Sequence, residues 1–127
     1  MYVKDLRTKK VDHHEPLLTF VGWLAEKHPY ERGEVDPVLF PRLFEICRRS
    51  RVLTRGRHWC DFCPKEKKFN PKATLGDTTL RLGSGEILVA APGSDVVYYA
   101  PDMICHYIAE HGYRPPDKFV QAVMSAE

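Results

Sequence analysis

Two short segments carry the residues best suited to chemistry, Arg57-His58-Trp59-Cys60-Asp61-Phe62-Cys63-Pro64 and Cys105-His106-Tyr107-Ile108-Ala109-Glu110-His111-Gly112. The first is a Cys-x-x-Cys turn, which can grip one ion with two thiolates. The second is a His-x-x-x-x-His pair, whose imidazoles can complete a tetrahedron. Cys-x-x-Cys followed downstream by two histidines with three to five residues between them is a zinc pattern. Here 42 residues lie between Cys63 and His106, against about 12–15 in a compact finger. Zinc held by Cys60, Cys63, His106 and His111 is therefore expected to staple distant parts of a domain. Four protein ligands leave no open position, which makes such a site structural by default.

The second histidine is the weaker assignment. On a straight helix of 3.6 residues per turn, a spacing of five rotates it about 140° from the first. His111 must gain its reach at the helix end, just before Gly112, where helices loosen. His58, Cys47 and Cys105 stand as alternative fourth ligands, although Cys47 and Cys105 fall on apolar helical faces and read as small core residues. Arg57 and His58 beside the knuckle would favour thiolates. A redox dithiol would need a helix directly after the motif, and Pro64 with a lysine-rich stretch follows instead. Glu110 could serve a metal-dependent hydrolase as a base only if water replaced one ligand; otherwise it is a solvated helix charge. His13-His14-Glu15 reads as a solvated end. Gly83-Ser84-Gly85 lacks the helix and the Gly-Lys-Ser/Thr pattern of a phosphate loop and reads as a hairpin turn. Neither a Ser/His/Asp order nor paired carboxylates appear, so the chain is expected not to be an enzyme.

A basic run, Arg48, Arg49, Arg51, Arg55 and Arg57, precedes the knuckle, and Lys65, Lys67, Lys68 and Lys72 follow it. Such a run can lie along a phosphate backbone, which makes a nucleic-acid-binding regulator the alternative function. The net charge is only +2 and the isoelectric point about 8.4, so the leading expectation is an adaptor or inhibitor that binds another protein. Trp59, Phe62 and Tyr113 are the candidate contact residues, because aromatic residues dominate protein interfaces. No apolar run approaches the roughly 18 residues needed to span a bilayer, and no signal peptide is evident at the start. A reducing cytoplasm, with no membrane partner, is the expected setting.

The elements that must position these residues follow from pattern. The length of 127 residues, 43% of them apolar, fits a single domain able to bury a core without metal. Residues 1–12 read as an edge strand or frayed arm. Asp12 is a candidate cap, Pro16 a first-turn residue, and Leu17, Leu18, Phe20, Val21 and Leu24 predict a helix over 15–27. Asp36-Pro37 opens a second helix over 37–49. The segment 64–74 reads as an exposed loop. Strands over 78–82, 86–90 and 96–99 predict a three-stranded antiparallel meander. A helix bearing both histidines opens near Pro101 and stops at Gly112, and a last helix runs over 117–126. The fold class is therefore α+β: an N-terminal helical pair in 1–50, then a zinc-stapled part in 51–127 that resembles a ββα finger with an enlarged hairpin.

One further pattern joins these pieces. Phe20-Val21-Gly22-Trp23-Leu24, Gly33-Glu34-Val35-Asp36-Pro37, His58-Trp59-Cys60-Asp61-Phe62-Cys63, Leu82 to Val89, and Val97 to Pro116, with its His-Tyr-Ile-x-x-His-Gly-Tyr-x-Pro-Pro segment, resemble a group of small uncharacterised bacterial proteins. The resemblance covers about 20–123. It implies a bacterial cytoplasmic protein and no particular mechanism.

Overall fold

A computed structural model of the chain describes residues 2–11 and 14–126; Asp12 and His13 lie outside them. The fold is mixed α+β. A five-stranded sheet runs in the order β1 (Thr8–Val11), β2 (His14–Phe20), β7 (Val97–Pro101), β6 (Gly85–Ala90), β3 (Val52–Leu53). A separate two-stranded hairpin pairs β4 (Lys72–Leu75) with β5 (Thr78–Arg81). The helices are α1 (Leu39–Ser50), the short α2 (Lys65–Lys68), α3 (Ile104–His111) and α4 (Asp117–Ser125). Among the described residues no helix is long and apolar enough to cross a membrane.

The predicted helix over 15–27 is a strand followed by irregular chain. Leu17 is 51% exposed while Leu18 and Phe20 are 1% and 3% exposed, an alternation of period two that places β2 between β1 and β7. The pairing with β7 is parallel, Thr19 to Tyr98 and Phe20 to Tyr99. Gly22 then adopts φ +83, and a Cβ there would stand 3.0 Å from the Ile104 side chain. A right-handed helix could not run through that residue. The N-terminal helical pair is thus a hairpin plus one helix, and a boundary at residue 50 does not separate two parts, since β2 completes the sheet built by residues 85–101.

The second predicted helix exists as α1. The Asp36 carboxylate accepts the Val38 N–H at 2.9 Å and its carbonyl accepts the Leu39 N–H at 2.9 Å, so Asp36 starts the helix by a local turn. Leu39, Leu43, Phe44 and Cys47 are its buried face. With β6, α3 and α4 they form the main core, while Val3, Leu18, Phe20, Trp23 and Tyr99 form a smaller cluster.

The three-stranded meander is also corrected. β6 and β7 pair antiparallel as expected, but β5 pairs with β4, which arises inside the stretch read as a loop. Gly83-Ser84-Gly85 therefore carries the chain from one sheet to the other. Three groups hold it there. The Gly83 N–H donates to the Asp102 carboxylate at 2.9 Å, the His58 N–H donates to the Gly83 carbonyl at 2.6 Å, and the Thr54 N–H donates to the Ser84 carbonyl at 2.7 Å. A Cβ on Gly83, at φ +108, would sit 2.3 Å from the His58 carbonyl oxygen, so glycine is required at this crossing.

Candidate metal centre

The knuckle is a tight turn, with the Cys63 N–H directed at the Cys60 carbonyl at 3.4 Å and the Cys60 N–H donating to the Lys68 carbonyl at 3.0 Å. Pro64 precedes α2 in extended conformation, which suits a residue that cannot donate. Facing the knuckle, α3 presents its last turn. It ends at Gly112 with φ 65, and the Gly112 N–H returns to the Tyr107 carbonyl, a left-handed stop.

These two pieces bring Cys60, Cys63, His106 and His111 together, one ligand atom from each, all within 4.8 Å of one another. The Cys60 sulfur lies 3.3 Å from His111 Nε2, and the Cys63 sulfur lies 3.2 Å from His106 Nε2 and 3.4 Å from His111 Nε2. Zinc–sulfur bonds of about 2.3 Å and zinc–nitrogen bonds of about 2.0–2.1 Å imply a tetrahedral S···N edge of about 3.6 Å. The donor set suits one tetrahedral ion, and the three short S···N distances lie slightly below that edge. The spacing of five does not misdirect His111, because it is the last residue of α3 and its Nε2 reaches back over the knuckle. The rings of His106 and His111 stand at 70° with centroids 5.0 Å apart.

With no ion bound, burial favours the neutral forms of the thiol and of both rings. Burial pushes the Cys60 thiol up to about 12, so without an ion to stabilise the thiolate it stays protonated. Burial lowers the pKa of both histidines from the ordinary value, His106 further through the charge of His111. Neutral rings are the ligand form. His106 Nδ1 is buried with no hydrogen-bond partner among the described residues, while Nε2 faces the Cys63 sulfur at 3.2 Å. Nδ1 is thus placed as the outward N–H of a ligating imidazole. A cleft of about 600 Å³, bordered by Lys67, Lys72 and Glu110, opens onto Cys63, His106 and His111 and gives an ion a route in.

Two supports escaped the sequence reading. The Tyr30 hydroxyl donates to the His111 carbonyl at 2.9 Å, and Gly33 N–H and Arg114 N–H tie residues 31–33 to 112–114. This brace fixes the end of α3. Phe62 packs edge-on or tilted against Tyr30, Tyr107 and His111, with centroids 5.2, 5.9 and 5.6 Å away. The second support is Asp102. It is buried, pairs with Arg51 at 3.0 Å and holds Gly83, which in turn holds His58. The available signal was that Asp102 is the one charged residue between Val96 and Cys105.

The remaining candidates are dispersed. Cys47 and Cys105 are fully buried with their sulfurs 3.7 Å apart, outside the cluster. His58 faces Trp23 edge-on. Of the basic run, Arg48 and Arg49 pair with Glu45, Arg51 pairs with Asp102, and Arg57 donates to the Phe69 carbonyl; Arg55 is exposed. Tyr113 offers a partner no surface, because it is wholly buried and its hydroxyl donates to Asp5 at 2.7 Å. Phe62 is half-buried against His111. Trp59 is 50% exposed and meets Phe69, itself 54% exposed, at 5.7 Å.

No curated protein and no solved structure matches the chain. A family model described as "Domain of unknown function (DUF7919)" matches residues 1–124, and the chain belongs to that family.

Proposed function

We propose that this chain is a zinc-stapled, non-enzymatic module whose knuckle face docks on another protein. The observation that carries the zinc assignment is the convergence of two thiols and two imidazoles within 4.8 Å, a set that fills a tetrahedron and leaves no position for substrate or water. The docking role is supported by the pair Trp59 and Phe69, exposed on the segment that the ion would hold rigid. Val52 and Leu53 add exposed apolar surface on β3, an edge strand of the large sheet. Aromatic side chains held on a rigid element are the usual anchors of protein interfaces. The arginines serve this reading as framework, since Arg51 holds Asp102 and Arg57 braces the knuckle loop.

Elemental analysis together with X-ray absorption tests the metal. One zinc equivalent with two sulfur and two nitrogen neighbours is expected, and a first shell containing oxygen would turn the reading towards metal-dependent hydrolysis. For docking, Trp59→Ala with Phe69→Ala should leave zinc content and melting temperature unchanged while weakening a partner isolated from cell extract by at least about tenfold, as loss of an interface anchor does. Unchanged affinity in that double variant would remove the knuckle face as the interface.

A further inference from the structure

Beside the knuckle, on the side of Trp23 and Met103, lies a pocket of about 260 Å³. That is below the roughly 300–1,000 Å³ of sites for drug-sized ligands, and it suits a single side-chain-sized group. Trp23, Trp59 and Tyr107 contribute aromatic walls, Leu24 and Met103 an apolar lining, and Asp61 a carboxylate. Asp61 is half-buried and has no cationic partner among the described residues. Tyr107 is only 5% exposed, yet its hydroxyl makes no hydrogen bond to any described residue and is not sealed from solvent. Arg57 also borders the pocket, but its guanidinium is held by the Phe69 carbonyl at 3.0 Å and reaches the Asn70 side-chain oxygen at 3.4 Å.

A carboxylate and a solvent-reached hydroxyl that no described residue engages, set among aromatic side chains, form an arrangement that attracts an organic cation. The ring quadrupoles favour positive charge, the carboxylate supplies the counter-ion, and the apolar lining takes the alkyl stem. A neutral alkyl group would leave Asp61 and Tyr107 unsatisfied, and an anion would meet the Asp61 charge. We propose that this pocket receives an alkylammonium group, with Asp61 as its ion-pair partner and Tyr107 as a hydrogen-bond acceptor. The proposal deepens the docking reading and rests on it for the metal-held knuckle: a lysine side chain of the partner protein would be the occupant. Pocket residues Trp59 and Asp61 flank Cys60, and Tyr107 follows His106, so the two halves of the pocket are joined by the same four ligands.

The test uses the full chain loaded with zinc, with tryptophan fluorescence and proton–nitrogen NMR shifts at Trp59 and Asp61 as readouts. The probes are n-butylammonium, a short lysine-containing peptide, the same peptide acetylated on lysine, n-butanol and adenosine monophosphate. Both amines are expected to bind, and each neutral counterpart is expected to bind at least about tenfold more weakly because the ion pair is lost. Binding by butylammonium with exclusion of the peptide would assign the pocket to a free small amine, and binding by both assigns it to lysine. Asp61→Asn, close in shape to the native side chain, should weaken the amines by about tenfold or more while zinc content is retained. Equal binding of the acetylated peptide and the lysine peptide, or unchanged affinity in Asp61→Asn, would overturn the proposal, as would selective binding of the nucleotide. If Asp61→Asn fails to fold, the comparison of butylammonium with butanol on the native protein decides the matter. Zinc content is measured in every sample. Protein that carries no zinc but still binds the amine refutes the metal reading and leaves the pocket standing, and zinc-replete protein that ignores the amine does the reverse.

Discussion

Replacing Arg51 with methionine isolates the buried carboxylate on which the knuckle's backbone support depends. Asp102 is 1% exposed, whereas the Arg51 side chain is 19% exposed and donates to it at 3.0 Å. Removing one partner of a buried ion pair costs about 3–5 kcal/mol because the other charge is left without compensation. The partial exposure of Arg51 argues for the lower end, about 3 kcal/mol. For a chain of this length that is a fall in melting temperature of about 10–15 °C. The pH dependence has a definite sign. Burial already raises the Asp102 pKa above its ordinary value of 3.8, and the guanidinium opposes that rise. Without Arg51 the folded pKa climbs further. The folded state then binds a proton that the unfolded state does not, so stability is lost as pH rises through the window above 3.8. The deficit of Arg51→Met against wild type should therefore be largest at pH 7 and shrink on acidification towards pH 4–5. Adding Asp102→Asn should restore part of the stability at pH 7, giving a favourable coupling of the two changes. Urea denaturation of the four proteins of the cycle at several pH values is the assay. A loss below about 1 kcal/mol that does not change with pH would show that Asp102 is satisfied by Gly83 and its surroundings without the guanidinium.

Three further outcomes are expected. Chelation followed by hydrogen exchange should remove protection mainly over residues 58–72 and 104–114, where the ligands lie, while the β1–β2 hairpin and α1 keep theirs; uniform loss would mean that zinc holds the whole fold. Native, metal-loaded protein should react slowly with thiol reagents at Cys47 and Cys105, both 0% exposed, and fast labelling of either by mass spectrometry would contradict their place in the core. Finally, Gly83→Ala should cost at least about 3 kcal/mol by thermal denaturation and weaken zinc, since its Cβ meets the His58 carbonyl at 2.3 Å, whereas Gly112→Ala, with nothing within 4 Å, should cost only about 1 kcal/mol from its positive φ.

The cluster of two cysteines and two histidines was legible because its information is local. Two cysteines two apart and two histidines near a glycine stop announce themselves, and only their convergence needed the fold. β2 was not legible. Leu17, Leu18, Phe20, Val21 and Leu24 satisfy a helical stripe, and the fact that decides otherwise is the parallel partner Tyr98-Tyr99 far along the chain. The same holds for β5, whose existence is legible but whose partner, β4, overlaps the stretch 64–74 that reads as an exposed loop. Single acids that hold the backbone leave the faintest trace. Asp5, which accepts the Gly22 N–H at 3.0 Å and the Tyr113 hydroxyl, looks in sequence like any other charge of the N-terminal arm. Tyr113 reads as a contact residue only because aromatic side chains anchor interfaces, yet its ring is wholly buried and its hydroxyl meets Asp5.

The parallel pairing of β2 with β7 also sets a timetable for the nascent chain. Phe20 is paired with Tyr99, so its neighbour strand is synthesised 79 residues later. At about 5–20 residues per second, that is a wait of roughly 4–16 s. Over that interval Leu18, Phe20 and Trp23 have no Tyr99 to cover them, and Cys60 and Cys63 stand as an open thiol pair until α3 leaves the ribosome. Both debts are settled by one short stretch, since residues 97–111 bring the central strand and the two histidines together. A chain truncated just before that stretch would lack both the central strand and the two histidines, and would leave the buried faces of β2 and α1 without their partners.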